Sequence, residues 1–244
     1  MFVNDFFILA SNPFFGAYRD SDFLGKLIFI GLIALSIISW ILIIHKFLVL
    51  KSVKKNALKF YNQVQSQKNQ LLNFDYPISI EEKKSNPFFY LFQIFKKQTM
   101  DLLNKNRSFH SEKEKVFLSP ADISFIDAQL KGAIAIKLND LERNLFILST
   151  ITSLAPFLGL LGTVWGILTT FSELQSMNSS AMLGGLSLAL ATTVIGLIDA
   201  IPALIGYNYF KNAIRDFEVE MEGFSREILS SVEMNYRQVD IAYG

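Results

Sequence analysis

The chain has 244 residues, a net charge of +1, two histidines and no cysteine; it is 51% apolar, and its mean hydropathy is +0.32. The lack of cysteine excludes disulfides, thiolate metal sites and a cysteine nucleophile, and the near-neutral charge gives no footing to a nucleic-acid partner. The apolar residues gather in three long runs, which reads as an all-α integral membrane protein with three transmembrane helices.

Residues 1–26 form an N-terminal segment. It has no basic start and no small-residue cleavage site, so it is not read as a cleaved signal peptide. Asn12-Pro13 and Gly16 predict a loop, and Phe6, Phe7, Phe14, Phe15 and Tyr18 suit a membrane interface. The first span is placed at 27–45: Leu27 to Ile44 is free of charge, with Trp40 near its end. His45, Lys46, Lys51, Lys54, Lys55 and Lys59 follow. Basic residues favour the cytoplasmic side, so the N-terminus is expected outside.

Residues 46–144 are read as a cytoplasmic helical insert. It holds 15 Lys and 2 Arg against 10 acidic residues. Its lysines lack nucleic-acid motifs and are read as topogenic charge in contact with lipid headgroups. Ser52 to Leu72 continues the first helix, and Asp75 to Pro87 is a linker with turn residues. Phe88 to Leu103 is amphipathic, and Asn104 to Ser119 is charged and expected to be mobile rather than regular. Ser119-Pro120-Ala121-Asp122 is a helix-start signature. Ile123, Ile126, Leu130, Ile134, Leu138, Leu141 and Leu145 then recur at steps of three and four, so that helix is expected to run straight into the second span.

The second span, 145–171, carries no charge, and the third, 181–210, carries only Asp199. Each exceeds the roughly 20 residues that cross a bilayer as a helix. The loop between them, 172–180, is too short for a domain, so the two form an antiparallel hairpin. Beyond it, 211–244 keeps an apolar stripe (Ile214, Phe217, Met221, Phe224, Ile228, Val232), which predicts a cytoplasmic C-terminal helix packed on other helices. The four predicted sides therefore alternate outside, inside, outside, inside.

The small and polar residues of the hairpin mark its candidate site. Lipid gives no hydrophobic reward for helix association, so helices pack through small residues. Gly159, Gly162 and Gly166 in the second span and Gly185 and Gly196 in the third fit that role, and Pro156 and Pro202 are candidate kinks. Thr163 and Thr170 share a face. Two readings fit this pattern: a packing interface, or the polar lining of an ion path. Asp199 is the most informative residue, because an ionisable group inside a membrane helix is costly and marks function by default. At about 100° per residue, Thr192 and Asp199 differ by only about 20°, so Asp199 stands on a small-residue face. Either it locks packing by bonding a neighbouring hydroxyl, or it carries a proton.

From Ala155-Pro156-Phe157-Leu158-Gly159 through Gly162-Thr163-Val164-Trp165-Gly166-Ile167, the second span resembles the signature of the TolQ/ExbB/MotA proton-channel family. The third span, Leu190-Ala191-Thr192-Thr193 through Gly196-Leu197-Ile198-Asp199-Ala200-Ile201-Pro202-Ala203 with Tyr207-Asn208, is similar to that family's third. Ser39-Trp40 through Ile44 and Lys46 is similar to the end of its first. The three-span layout and short N-terminal segment lean towards its TolQ branch.

The resemblance implies a subunit driven by the proton-motive force in the inner membrane of a bacterium, neither an enzyme nor dependent on a cofactor or metal. It implies a pentamer around two helices of a single-span partner of the TolR or ExbD kind, and a third subunit of the TolA or TonB kind. The role implied is outer-membrane integrity and cell division; the alternatives are an ExbB-like role in powering uptake, or a scaffold without ion flux. Carried over residue by residue, Thr163 and Thr193 match the threonines that line the channel near the partner's aspartate. One position departs: many members have a glutamate near the start of the third span, where this chain has Leu188. Asp199, 11 residues on, is expected to take over as the pore acid, with Thr192 beside it.

Overall fold

The computed structural model describes residues 13–19, 21–67, 71–72, 86–109, 117–174 and 179–236. Phe6, Phe7, the linker residues 75–85, His110 and the centre of the hairpin loop, 175–178, lie outside the described residues. Among the described residues, six α-helices carry the fold: α1 Pro13–Arg19, α2 Phe23–Ser66, α3 Pro87–Phe109, α4 Pro120–Glu142, α5 Leu145–Leu174 and α6 Ser179–Tyr236. Helices α2, α5 and α6 are long and apolar enough to cross a membrane. The chain is an all-α, three-span membrane protein. It divides into two compact units, Met1–Lys46 with Asn144–Lys211, and Phe47–Arg143 with Asn212–Gly244.

In the first unit, α1 forms where Pro13 and Gly16 predict a loop. Proline suits the first position of a helix, because the N–H it lacks has no intrahelical partner there. Burial of Ala17 against Phe29 and Ala191, with Phe14, Tyr18 and Ile195 packed around them, then outweighs the weak propensity of Gly16. Asp22 caps α2: its Oδ1 accepts the Gly25 N–H at 2.9 Å.

Helices α2 and α6 lie side by side and run the same way. The Gly25 backbone faces the Leu188 side chain near the start of α2, and Ile43 faces Gly206 near the end of the span. Both pairs are separated by the same number of residues, so the two helices keep one register along the span. Ile28, Leu32, Ile151, Ala155, Ala200 and Ala203 fill the space among α2, α5 and α6.

The second unit is held by aromatic rings. Phe88 stacks on Phe224, with centroids 4.7 Å apart and planes at 7°, and also on Phe217. Phe60 of α2 meets Phe89, Phe92 and Phe224 edge-on. The α6 stripe Ile214, Phe217, Met221, Phe224, Ile228 and Val232 is buried throughout. Buried Asn86 starts α3: its Oδ1 accepts the Phe88 and Phe89 N–H groups, while its Nδ2 donates to the Asn56 carbonyl.

Two expectations for this unit change. Helix α3 runs on to Phe109, through the charged residues expected to be irregular. Helix α4 does not run into α5: it stops at Glu142, and Asn144 takes a left-handed φ of 68°. Asparagine is among the few residues that accept that conformation readily, and an apolar period of three and four gives no sign of it.

Gly223 lies exposed inside α6, and an added Cβ there meets nothing within 4 Å. Gly223→Ala is therefore expected to stabilise the chain by about 0.5–1 kcal/mol, by cutting the backbone entropy lost on helix formation. Urea unfolding of the protein in detergent reads this as a higher midpoint.

Helix α4 begins with a reciprocal cap: Ser119 Oγ accepts the Asp122 N–H, and Asp122 Oδ2 accepts the Ser119 N–H. Burial pushes the Asp122 carboxyl up, but the bonds from the Ser119 backbone, the Asn106 and Ser119 side chains and nearby Lys105 outweigh it and hold the carboxyl below its ordinary value. A lowered folded value means stability that is full above about pH 4 and lost as the pH falls through the folded value. Asp122→Asn is expected to flatten that acid limb in thermal melts taken between about pH 6 and pH 3.

Candidate ion-path site

The hairpin of α5 and α6 closes through backbone-to-backbone contact. A Cβ on Gly166 would lie 2.5 Å from the Gly185 carbonyl oxygen, and one on Gly196 would lie 2.6 Å from that of Ala155. One on Gly159 would meet the Thr192 oxygen and Thr193 Cα at 3.0 and 3.2 Å, and the space beside Gly162 is filled by the Thr192 side chain. All five glycines predicted for packing thus stand at one helix–helix seam, where any side chain would force the backbones apart. Both helices run unbroken through Pro156 and Pro202.

The close approach brings hydroxyls onto carbonyls. The Thr163 and Thr193 hydroxyls touch each other across the seam. Thr163 Oγ1 lies 3.1 Å from the Gly159 oxygen and 3.2 Å from the Ala189 oxygen, and Thr193 Oγ1 lies 3.4 and 3.2 Å from the same two. Each hydroxyl has one hydrogen and two lone pairs. Two hydrogens therefore serve three alternatives: either carbonyl, or the other hydroxyl. The group can exchange donors without moving a heavy atom far, which suits orienting or relaying a proton. Both threonines are half-buried. Thr192 is fully buried and donates to the Leu188 carbonyl at 2.9 Å, as a packing hydroxyl would.

Asp199 lies elsewhere. It is 2% exposed, and its Oδ2 has no hydrogen-bond partner among the described residues. Its neighbour Ala200 packs in the cluster shared by α2, α5 and α6. Thr193 and Asp199 are six residues apart, so they face directions that differ by about 120°. Leu188, the position where the resembling family often has glutamate, is buried against Gly25 of α2.

One contact had no signal in the sequence. Trp165 Nε1 donates to Asp22 Oδ2 at 2.8 Å, tying the start of α2 to the middle of the second span's signature. Asp22 also caps α2, and 143 residues separate it from Trp165 in the sequence. Among the described residues, no three His, Asp or Glu side chains come together as a metal site would require.

Gly166→Ala is expected to destabilise the hairpin by about 1–3 kcal/mol, the usual cost of overpacking a tight interior. Gly31→Ala, where an added Cβ meets nothing within 4 Å, serves as the control and should leave stability within about 0.5 kcal/mol. Thermal aggregation of the two variants in one detergent separates them.

Residues 99–223, just over half of the chain, match the MotA/TolQ/ExbB proton channel family. The chain is 28% identical over 229 residues to the biopolymer transport protein ExbB of Pseudomonas putida, covering 88% of this chain and 61% of that one. It is 42% identical over 97 residues to ExbB of Aquifex aeolicus, covering 38% of this chain and 66% of that one. To the Tol-Pal system protein TolQ of Pseudomonas aeruginosa it is 29% identical over 197 residues, covering 78% of this chain and 80% of that one. The matches thus take in 61% and 66% of the length of the two ExbB proteins.

Proposed function

The chain belongs to the MotA/TolQ/ExbB proton channel family, and we propose that it is a conducting subunit of a motor in the bacterial inner membrane, driven by the proton-motive force. The observation that carries this reading is the four-membered group of Thr163, Thr193 and the Gly159 and Ala189 carbonyls. A seam that only packs needs small residues; it does not need two hydroxyls that share two acceptors. In this reading a single-span partner, seated in a ring of several copies of this chain, brings an acidic side chain to the group. The threonines orient the proton as that acid takes it up and releases it. Neither threonine carries charge itself, so the relay leaves no ion stranded in the membrane. The distribution of lysine and arginine supports an N-terminus outside and the second unit in the cytoplasm.

We read the complex as Tol-like, with TolR- and TolA-like partners and work at the outer membrane during division. The match to TolQ over most of both chains supports this. The ExbB-named relatives favour the second reading, in which the same motor drives a TonB-like subunit. Both readings share one chemistry and differ in the third subunit. Mass spectrometry of the complex drawn from native membranes in mild detergent is expected to show several copies of this chain with a single-span protein. The further subunit present separates the two roles.

The relay itself predicts a mutational pattern. Thr163→Val with Thr193→Val keeps the shape of the seam and removes both hydroxyls. Proton flux through the complex in proteoliposomes should fall by about a hundredfold or more, the usual scale for losing a positioned proton-transfer group. Thr193→Ser, which restores a hydroxyl, should recover most of it. Unchanged flux in the double valine variant would overturn the reading.

A further inference from the structure

Asp199 Oδ2 takes no hydrogen bond at the hairpin seam, and its surroundings are not those of a packing residue. A packing aspartate would bond a hydroxyl or an amide. Asp199 Oδ2 is buried and bonded to nothing among the described residues. Ser39 Oγ, on α2, is in the same condition, and its residue is 1% exposed.

The helix register brings these groups within about one turn of the same depth. Gly25 faces Leu188 and Ile43 faces Gly206, so Ser36 and Ser39 stand level with Asp199 and Pro202. On the other side, Ala155 meets Gly196, and one turn further along the antiparallel hairpin puts Thr152 level with Asp199. The Thr152 hydroxyl is engaged with the Ser149 carbonyl at 2.7 Å. Its own carbonyl, however, lacks the usual helical donor, because the residue four positions on is Pro156. The carbonyl of Ile198 lacks one for the same reason, at Pro202. A carboxyl group, a serine hydroxyl and two carbonyls short of a donor thus stand within about one helical turn of depth in the bundle. All are oxygens that act as acceptors, and this is the ligand set of a hard cation.

We propose that Asp199, Ser39 and the carbonyls of Thr152 and Ile198 form a binding site for one small monovalent cation, a proton or a sodium ion, inside the subunit. An isolated carboxylate away from water is too costly to persist, so it is occupied by one or the other. Few other charges reach it. Leu27 to Ile44 of α2 and Leu145 to Phe171 of α5 hold no ionisable residue. On α2 the nearest are His45 and Lys46, and on α6 they are Tyr207 and Tyr209, all two turns or more away. On α1, Tyr18 packs at the level of Ala191, also two turns away. The site rests on the channel reading only for its purpose, which is a second station about 9 Å along α6 from the threonine group.

The test reads occupancy rather than flux, so each reading can fail alone. Infrared difference spectra are taken on the full chain in lipid nanodiscs, first across pH without sodium, then across sodium concentration at fixed pH. The expected result is a carboxylic-acid carbonyl band that is absent in Asp199→Asn and converts to carboxylate as the pH rises. Conversion by sodium at constant pH identifies sodium as the ligand; conversion by pH alone identifies the proton. Asp199→Glu, which keeps a carboxyl with a shifted band, assigns the signal if the asparagine variant fails to fold. Ser39→Ala should move the midpoint about fivefold in cation concentration, the equivalent of one hydrogen bond. A band that responds to neither pH nor sodium, or the absence of any Asp199-dependent band, would overturn the site while leaving the flux of the threonine variants to judge the channel.

Discussion

The contact of bare backbone on bare backbone between α5 and α6 is the constraint on which the rest of the first unit depends. Apolar side chains do not drive helices together in lipid, since the surrounding chains are as apolar as leucine. What remains is van der Waals contact and polar bonding at short range, and both need the helix axes close. Gly166 against Gly185, and Gly196 against Ala155, set that distance. The threonine group is its consequence. Thr163 Oγ1 reaches the Ala189 carbonyl on the other helix because no Cβ stands between the backbones one turn away. A hydroxyl in a wider hairpin would bond only the carbonyl of its own preceding turn, as Thr150 does with Phe146.

The second unit solves a different problem with different residues. Here burial of aromatic surface is rewarded, and the core is built of phenylalanine rings from α2, α3 and α6. Fully burying such a side chain contributes about 1.5–3 kcal/mol. Buried polar groups are few, and Asn86 shows how one is accommodated: every part of its amide has a partner. Asp199 in the first unit is the contrast, since its Oδ2 has none among the described residues.

The spans were legible in the sequence because length and absence of charge are local properties. So was the start of α4, where serine and aspartate stand three apart, and so was the buried stripe of α6. The break at Asn144 was not legible, because the apolar period continues through it while one backbone angle changes sign. Helix α1 was missed because proline and glycine within a few residues read as a loop, and only packing on Phe29 and Ala191 overrides that. At the site, the glycines and threonines could be singled out by type. Which of them meet could not, since the hairpin register depends on a loop of unknown path. The Asp22–Trp165 bond joins residues that share no motif at all.

The register of α2 against α6 changes how the acid in the third span is understood. On spacing alone, Asp199 and Leu188 lie on one face of α6. That face borders α2 through Leu188, which covers Gly25, and α5 through Thr192, which fills the space beside Gly162; Thr193, bonded to the Gly159 carbonyl of α5, points about 120° away from Asp199. Helix α6 therefore carries polar groups on two sides, about 120° apart in direction and two turns apart in depth at most. Because both groups stand on one helix, any tilt or rotation of α6 changes the surroundings of both at once.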